Sequence, residues 1–250
     1  MSDMAISWIV FACVFGGALL GMLLRAVLPE HHLSTDSKDL MRLEIWLIGT
    51  MAALVLGLLI ASAKGSYDTE RSQLRQISAN IILVDRVMAN YGPETKEARD
   101  LLRRAVARAL DRMWPETTSG PAQLEPTAEF EGFLDKIQAL SPRKEAQRLL
   151  QAQALSISAD LVRTRWLVVE ERGGTVPMPF LVVLVFWLAV IFVGFGLFWP
   201  PNATVIATLF VCALSVSGAI FLILELDRPF DGHIQISSAP LYDALTHLGR

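Results

Sequence analysis

Four runs of 20 or more nearly uncharged residues constrain this chain more than anything else in it: Ala5–Leu28, Leu43–Ala63, Met178–Trp199 and Ala203–Leu226. About 20 residues at ~1.5 Å per residue cross a ~30 Å hydrocarbon layer, so each run predicts a transmembrane helix. The first run lacks a basic lead and a small-x-small cleavage site, and it reads as a retained span rather than a leader. Trp8, Trp46 and Trp199 fall near span ends, where amphipathic rings favour the headgroup layer. Apolar residues make up 53% of the 250 residues and are gathered into these blocks, the composition of an integral membrane protein.

Seventeen of the 22 Lys and Arg residues lie between Lys64 and Arg172, which by the positive-inside rule places that stretch in the cytoplasm. Both termini are then cytoplasmic and the "PPNA" turn at Pro200–Ala203 is external. The net charge of −3, with no basic tail, argues against nucleic acid. Cys13 and Cys212 both lie in apolar runs, so neither a disulfide framework nor a cysteine-based metal site is expected. No nucleophile–base set, phosphate loop or metalloenzyme spacing occurs, and the chain does not read as an enzyme.

Between the second and third spans the pattern is helical throughout. Leu74, Ile77, Ile81, Val84 and Met88 recur at three- and four-residue steps up to a stop at "YGP". Further helices are predicted over about 94–114, 127–140 and 142–172, with Ser141 capping and Pro142 opening the last. The fold class is therefore all-α: an integral membrane protein with four transmembrane helices and a cytoplasmic helical bundle between spans two and three. Its parts are 1–63 (spans one and two with an external loop), 64–176 (the bundle), 177–226 (spans three and four) and 227–250 (a cytoplasmic turn and a short helix, Pro240–Leu248).

Within the spans, Gly17-x-x-x-Gly21 and the stripe Thr204, Thr208, Cys212, Ser215 and Ala219 read as faces for close helix packing. Arg25 reads as a side chain reaching for the headgroups. His31 and His32 read as solvated loop residues. In "LELDRPFDG", Leu224–Gly232, the fourth span ends at Glu225, Asp227 and Asp231, beside a turn fixed by Pro229 and Gly232 with Phe230 as its apolar anchor.

The segments "LPEHHLSTDSKDLMRL", "TMAALVLGLLIASAKGSYDTE", "FGLFWPPNAT" and "LELDRPFDG" closely resemble the bacterial bestrophin-like family, distant relatives of bestrophin anion channels, across nearly the whole chain. Bestrophins themselves have four spans per subunit, assemble as pentamers and line a narrow neck with the second span. The resemblance implies a homo-oligomeric, pentameric ion channel of the bacterial inner membrane, anion-conducting, with lipid, permeating ions and its own copies as partners. Thr50, Leu54 and Leu58, at four-residue steps, would then face the pore as an apolar gate. Bestrophin necks favour isoleucine and phenylalanine, and this span has no phenylalanine. Bestrophins also hold calcium with acidic residues after the last span, which makes Glu225, Asp227 and Asp231 candidate ligands and calcium the one candidate cofactor. The competing reading is a membrane-anchored scaffold or sensor whose cytoplasmic bundle binds a protein partner and which has no pore.

Overall fold

A computed structural model describes residues 2–27, 35–114, 128–171, 176–199, 202–230, 232 and 234–249, of which 35–40 and 168–171 are described by backbone alone. Among the described residues eight α-helices follow in order: α1 (Asp3–Val27), α2 (Thr35–Tyr91), α3 (Lys96–Met113), α4 (Ala128–Gln138), α5 (Glu145–Glu171), α6 (Met178–Phe198), α7 (Ala203–Leu226) and α8 (Ala239–His247). Among the described residues there is no strand. The second span and the first amphipathic helix are one element, α2, 57 residues and ~86 Å long at ~1.5 Å per residue. Four helices are long and apolar enough to cross a membrane: α1, the N-terminal part of α2, α6 and α7. The chain divides into two compact units, Met1–Ser66 with Gly174–Asp227, and Tyr67–Gly173 with Arg228–Arg250.

The first unit holds the apolar helices. Between lipid-bathed helices burial gives little drive, so van der Waals fit decides which faces meet. On α1, Gly17 and Gly21 lie against the α6 backbone, and Gly196 of α6 lies against that of α1. A Cβ on Gly21 would run into the carbonyl of Val193 and come within 2.9 Å of the Leu197 nitrogen, and one on Gly196 would meet the Ala18 carbonyl. Arg25 Nη1 donates to the Leu197 carbonyl at 3.4 Å, satisfying an acceptor at the end of α6. Against α1, α7 presents Leu209, Ala213 and Ile220, and the buried Ser217 hydroxyl donates to the Ser7 carbonyl at 2.6 Å. Of the stripe Thr204, Thr208, Cys212, Ser215 and Ala219, the first four are exposed on the other side of α7 and Ala219 is half-buried, so within this chain the stripe is not the face that meets α1. The bulkier residues fill the groove, while the Thr208 and Ser215 hydroxyls bond back to their own helix at Thr204 and Val211. Asn202 caps α7 by accepting from the Val205 amide at 2.8 Å.

The second unit is built like a water-soluble core. Ile81, Val84 and Met88 of α2 meet Leu102, Val106 and Leu110 of α3, closed by Phe133 and Ile137 of α4, Ala154 and Ile157 of α5, and Leu241 and Ala244 of α8. Gly92 ends α2 at φ 139°, a conformation glycine alone adopts without strain. The buried Thr95 hydroxyl, 2.7 Å from the Met88 carbonyl and 2.8 Å from that of Gly92, closes the turn into α3. Ser141 and Pro142 do not open α5, which begins at Glu145. Its side chains take over that junction: Gln147 Oε1 accepts from the Arg143 amide, and the Gln151 amide donates to the Ile137 and Leu140 carbonyls at the end of α4.

One buried ion pair ties this core together. The Asp85 carboxylate on α2 takes both Nε and Nη2 of Arg99 on α3, at 2.7 and 2.8 Å, and its Oδ2 also accepts from the Gly249 amide at 3.3 Å. That hydrogen bond raises the Arg99 pKa further above its ordinary value.

Two predictions follow from the packing. Gly21→Ala should cost about 1–3 kcal/mol of unfolding free energy in micelles, whereas Gly16→Ala, whose added carbon meets nothing within 4 Å, should stay within about 0.5 kcal/mol of the parent. Asp85→Ala strands the Arg99 charge and should cost about 3–5 kcal/mol, read from denaturant unfolding.

Candidate pore face and post-span turn

Among the described residues, the second span packs on its own chain along one narrow face. Ala52, Leu59 and Ala63 are buried against Leu184 of α6 and Ile223 of α7, with Leu56 partly buried beside them. At ~100° per residue these positions fall on one side of the helix. Thr50, Leu54 and Leu58 fall on the opposite side; Leu54 is 75% exposed and Leu58 65%, while Thr50 is half-buried and its hydroxyl bonds back to the Leu47 carbonyl at 2.8 Å. Only 11% of the most apolar stretch of α2 is buried, against 33%, 39% and 28% for α1, α6 and α7. The same stripe continues along α2 through Ala61, Gly65, Asp68, Ser72, Ala79 and Arg86, all exposed.

The post-span residues divide between the two units. In the first, Glu225 is 2% exposed in the last turn of α7, and Asp227 ends that helix with its amide on the Ile223 carbonyl at 3.1 Å. Asp227 Oδ1 accepts from the Val176 amide at 3.2 Å, fixing the residue two before α6. In the second, Pro229 and Phe230 are buried, and the Gly232 amide reaches the Arg228 carbonyl at 3.2 Å. Phe230 packs edge-to-face on Trp114, with centroids 6.2 Å apart, and the Trp114 indole donates to the Ile236 carbonyl at 3.0 Å. The Ile236 amide in turn reaches the Pro229 carbonyl at 2.9 Å, closing the turn on itself.

Trp114 is a side chain of this arrangement that the sequence does not single out, since it reads as a helix end before Pro115. Asp231 lies outside the described residues, as do His31, His32 and His233. Among the described residues, no three His, Cys, Asp or Glu side chains come together as a metal site. Of the oxygens that would suit calcium, one of Asp227 is engaged by a backbone amide and Glu225 lies in the buried end of α7. Phe230→Ala is expected to cost about 3–5 kcal/mol and, by exposing the Trp114 ring, to shift indole emission to the red.

All-helical and carrying four apolar helices with a long amphipathic insertion after the second, the chain is a membrane protein of bestrophin type in fold. The family model for the bestrophin-like domain matches residues 12–241, and the chain belongs to that family. Among solved structures it is similar to a bacterial bestrophin homologue from Klebsiella pneumoniae carrying a point mutation, with a TM-score of 0.62, 15% identity, and 94% of this chain and 97% of that one covered. At that identity the likeness speaks for the fold. No curated protein gives a match.

Proposed function

We propose that the protein is a homopentameric ion channel of the bacterial inner membrane in which five copies of α2 surround the pore and Thr50, Leu54 and Leu58 form its apolar constriction. The observation that carries this reading is the face of α2 that its own chain leaves open, opposite Ala52, Leu59 and Ala63, on the least covered of the four spans. Family membership supports it. A ring of leucines narrows a pore without offering ions a substitute for water, so it gates by dewetting. Below the apolar section the same side of α2 carries exposed Asp68, Arg75 and Arg86, an excess of positive charge that favours anions. In this reading the helical insertion and both termini are cytoplasmic, in keeping with the clustering of Lys and Arg between Lys64 and Arg172. The post-span turn then serves as a structural pin, with Asp227 holding the start of the third span and Phe230 seated on Trp114.

Purified protein in planar bilayers should conduct. Leu54→Ala or Leu58→Ala should raise the current by about tenfold for each ~1.4 kcal/mol removed from the dewetting barrier. Verified incorporation with no current across voltage and calcium would sink the proposal, as would a monomer or dimer by native mass measurement.

A further inference from the structure

Near its C-terminal end α5 inverts the pattern of the rest of the helix. Ala154, Ile157, Ser158 and Leu161, at three- and four-residue steps, are its buried face, and the next position on that face is Arg165, half-buried. Outward, where a helix in water carries polar side chains, stand Trp166 and Leu167, 59% and 42% exposed. A cation turned in and a Trp–Leu pair turned out suit a helix end that leaves water for the headgroup layer, where indole rings collect. Only six residues, 172–177, separate the end of α5 at Glu171 from the start of the third span at Met178. The end of α3 comes to the same part of the bundle. Met113 is buried in the core that also holds Leu161, and Trp114 packs on Phe230, four residues after α7 ends at Leu226. Arg112, just before them, is exposed and makes no ion pair among the described residues. It is close enough to Arg165 for the two positive charges to repel: burial first, and that repulsion second, lower the Arg165 pKa. Glu170 and Glu171 follow Arg165 roughly 140° and 120° away around the helix axis.

We propose that Arg112 and Arg165 together hold the phosphate of an acidic phospholipid headgroup, with Trp166 and Leu167 set into the bilayer surface beside it. Two guanidiniums offer forked donors that match phosphate oxygens, and an anion between them turns their mutual repulsion into attraction to a shared partner. Half-burial of Arg165 strengthens that attraction, because water screens it less. A lipid is favoured over free phosphate because the exposed ring of Trp166 and the Leu167 side chain adjoin Arg165 in sequence and give the acyl end of the ligand an apolar neighbour. Exposed Arg163, two residues before Arg165, adds to the positive field that draws an acidic headgroup. The site lies within one chain, so it does not depend on a ring of copies or on conduction.

The test titrates the full chain in detergent with phosphatidylglycerol, phosphatidylcholine or inorganic phosphate and reads bound ligand by native mass spectrometry. The parent should bind phosphatidylglycerol about tenfold more tightly than phosphatidylcholine, and Arg165→Gln should abolish that preference while Arg165→Lys keeps part of it. Should Arg165→Gln fail to fold, Arg112→Gln, at an exposed position, reads the same contact and should weaken phosphatidylglycerol binding about tenfold. A parent with no preference, or a preference that survives both glutamine variants, overturns the proposal. Inorganic phosphate that displaces the lipid at equal concentration would make this a site for a soluble phosphate and overturn the lipid assignment. Placement at the bilayer is read separately, in phosphatidylglycerol vesicles whose acyl chains are brominated near the headgroup: Trp166→Phe should remove part of the tryptophan quenching. Quenching unchanged by that substitution would place Trp166 against protein, a second copy included, and overturn the bilayer contact. A protein that fails to conduct but passes these tests loses the channel reading and keeps this one.

Discussion

A backbone amide or carbonyl in hydrocarbon has no water to turn to, and that demand governs how this chain is put together. It forces each apolar run into helix, and it makes the contact between α1 and α6 depend on how closely two fully bonded backbones can approach. Gly17 and Gly21 on one side and Gly196 on the other remove the side chains that would keep those helices apart. Polar groups enter the first unit only where they complete an accounting: Ser217 on the Ser7 carbonyl, Arg25 on the Leu197 carbonyl, and Asn202 on the first turn of α7.

The second unit meets a different requirement. Its helices are amphipathic, its core is ordinary buried Leu, Ile, Val and Phe, and the hydrophobic effect holds it together. Specificity within that core comes from a few groups whose hydrogen bonds can be made in one arrangement only: Asp85 between Arg99 and Gly249, Thr95 closing the corner after Gly92, and Gln151 on the frayed end of α4. The helix α2 takes part in both kinds of packing, and its hydrogen-bond ladder runs from Thr35 to Tyr91 without a break.

The spans were legible because length and hydropathy are local properties, and the helices after the second span were legible because amphipathic periodicity is local too. What failed to show in the sequence is whatever depends on partners far along the chain. Phe230 was readable as an apolar anchor, but the ring beneath it, Trp114, lies more than a hundred residues earlier. Thr204, Thr208, Cys212, Ser215 and Ala219 read as a packing stripe, yet within the chain α7 turns Leu209, Ala213 and Ile220 inward, because small residues permit close approach without requiring it. Ser141 and Pro142 carry a helix-start signal that the side chains of Gln147 and Gln151 override. For the candidate pore face, the four-residue spacing of Thr50, Leu54 and Leu58 was visible. That its own chain leaves this face uncovered emerges only from where Ala52, Leu59 and Ala63 pack.

Trp114 also gives the molecule an optical handle. Its indole is packed against Phe230 and hydrogen-bonded to the Ile236 carbonyl, while Trp8, Trp46, Trp166 and Trp199 are all exposed on the chain's surface. A chain in which those four are replaced by phenylalanine would emit from Trp114 and the half-buried Trp187 alone. The colour and quenching of that emission would then follow, in real time and without any attached dye, whether the segment after the fourth span is seated or has come away.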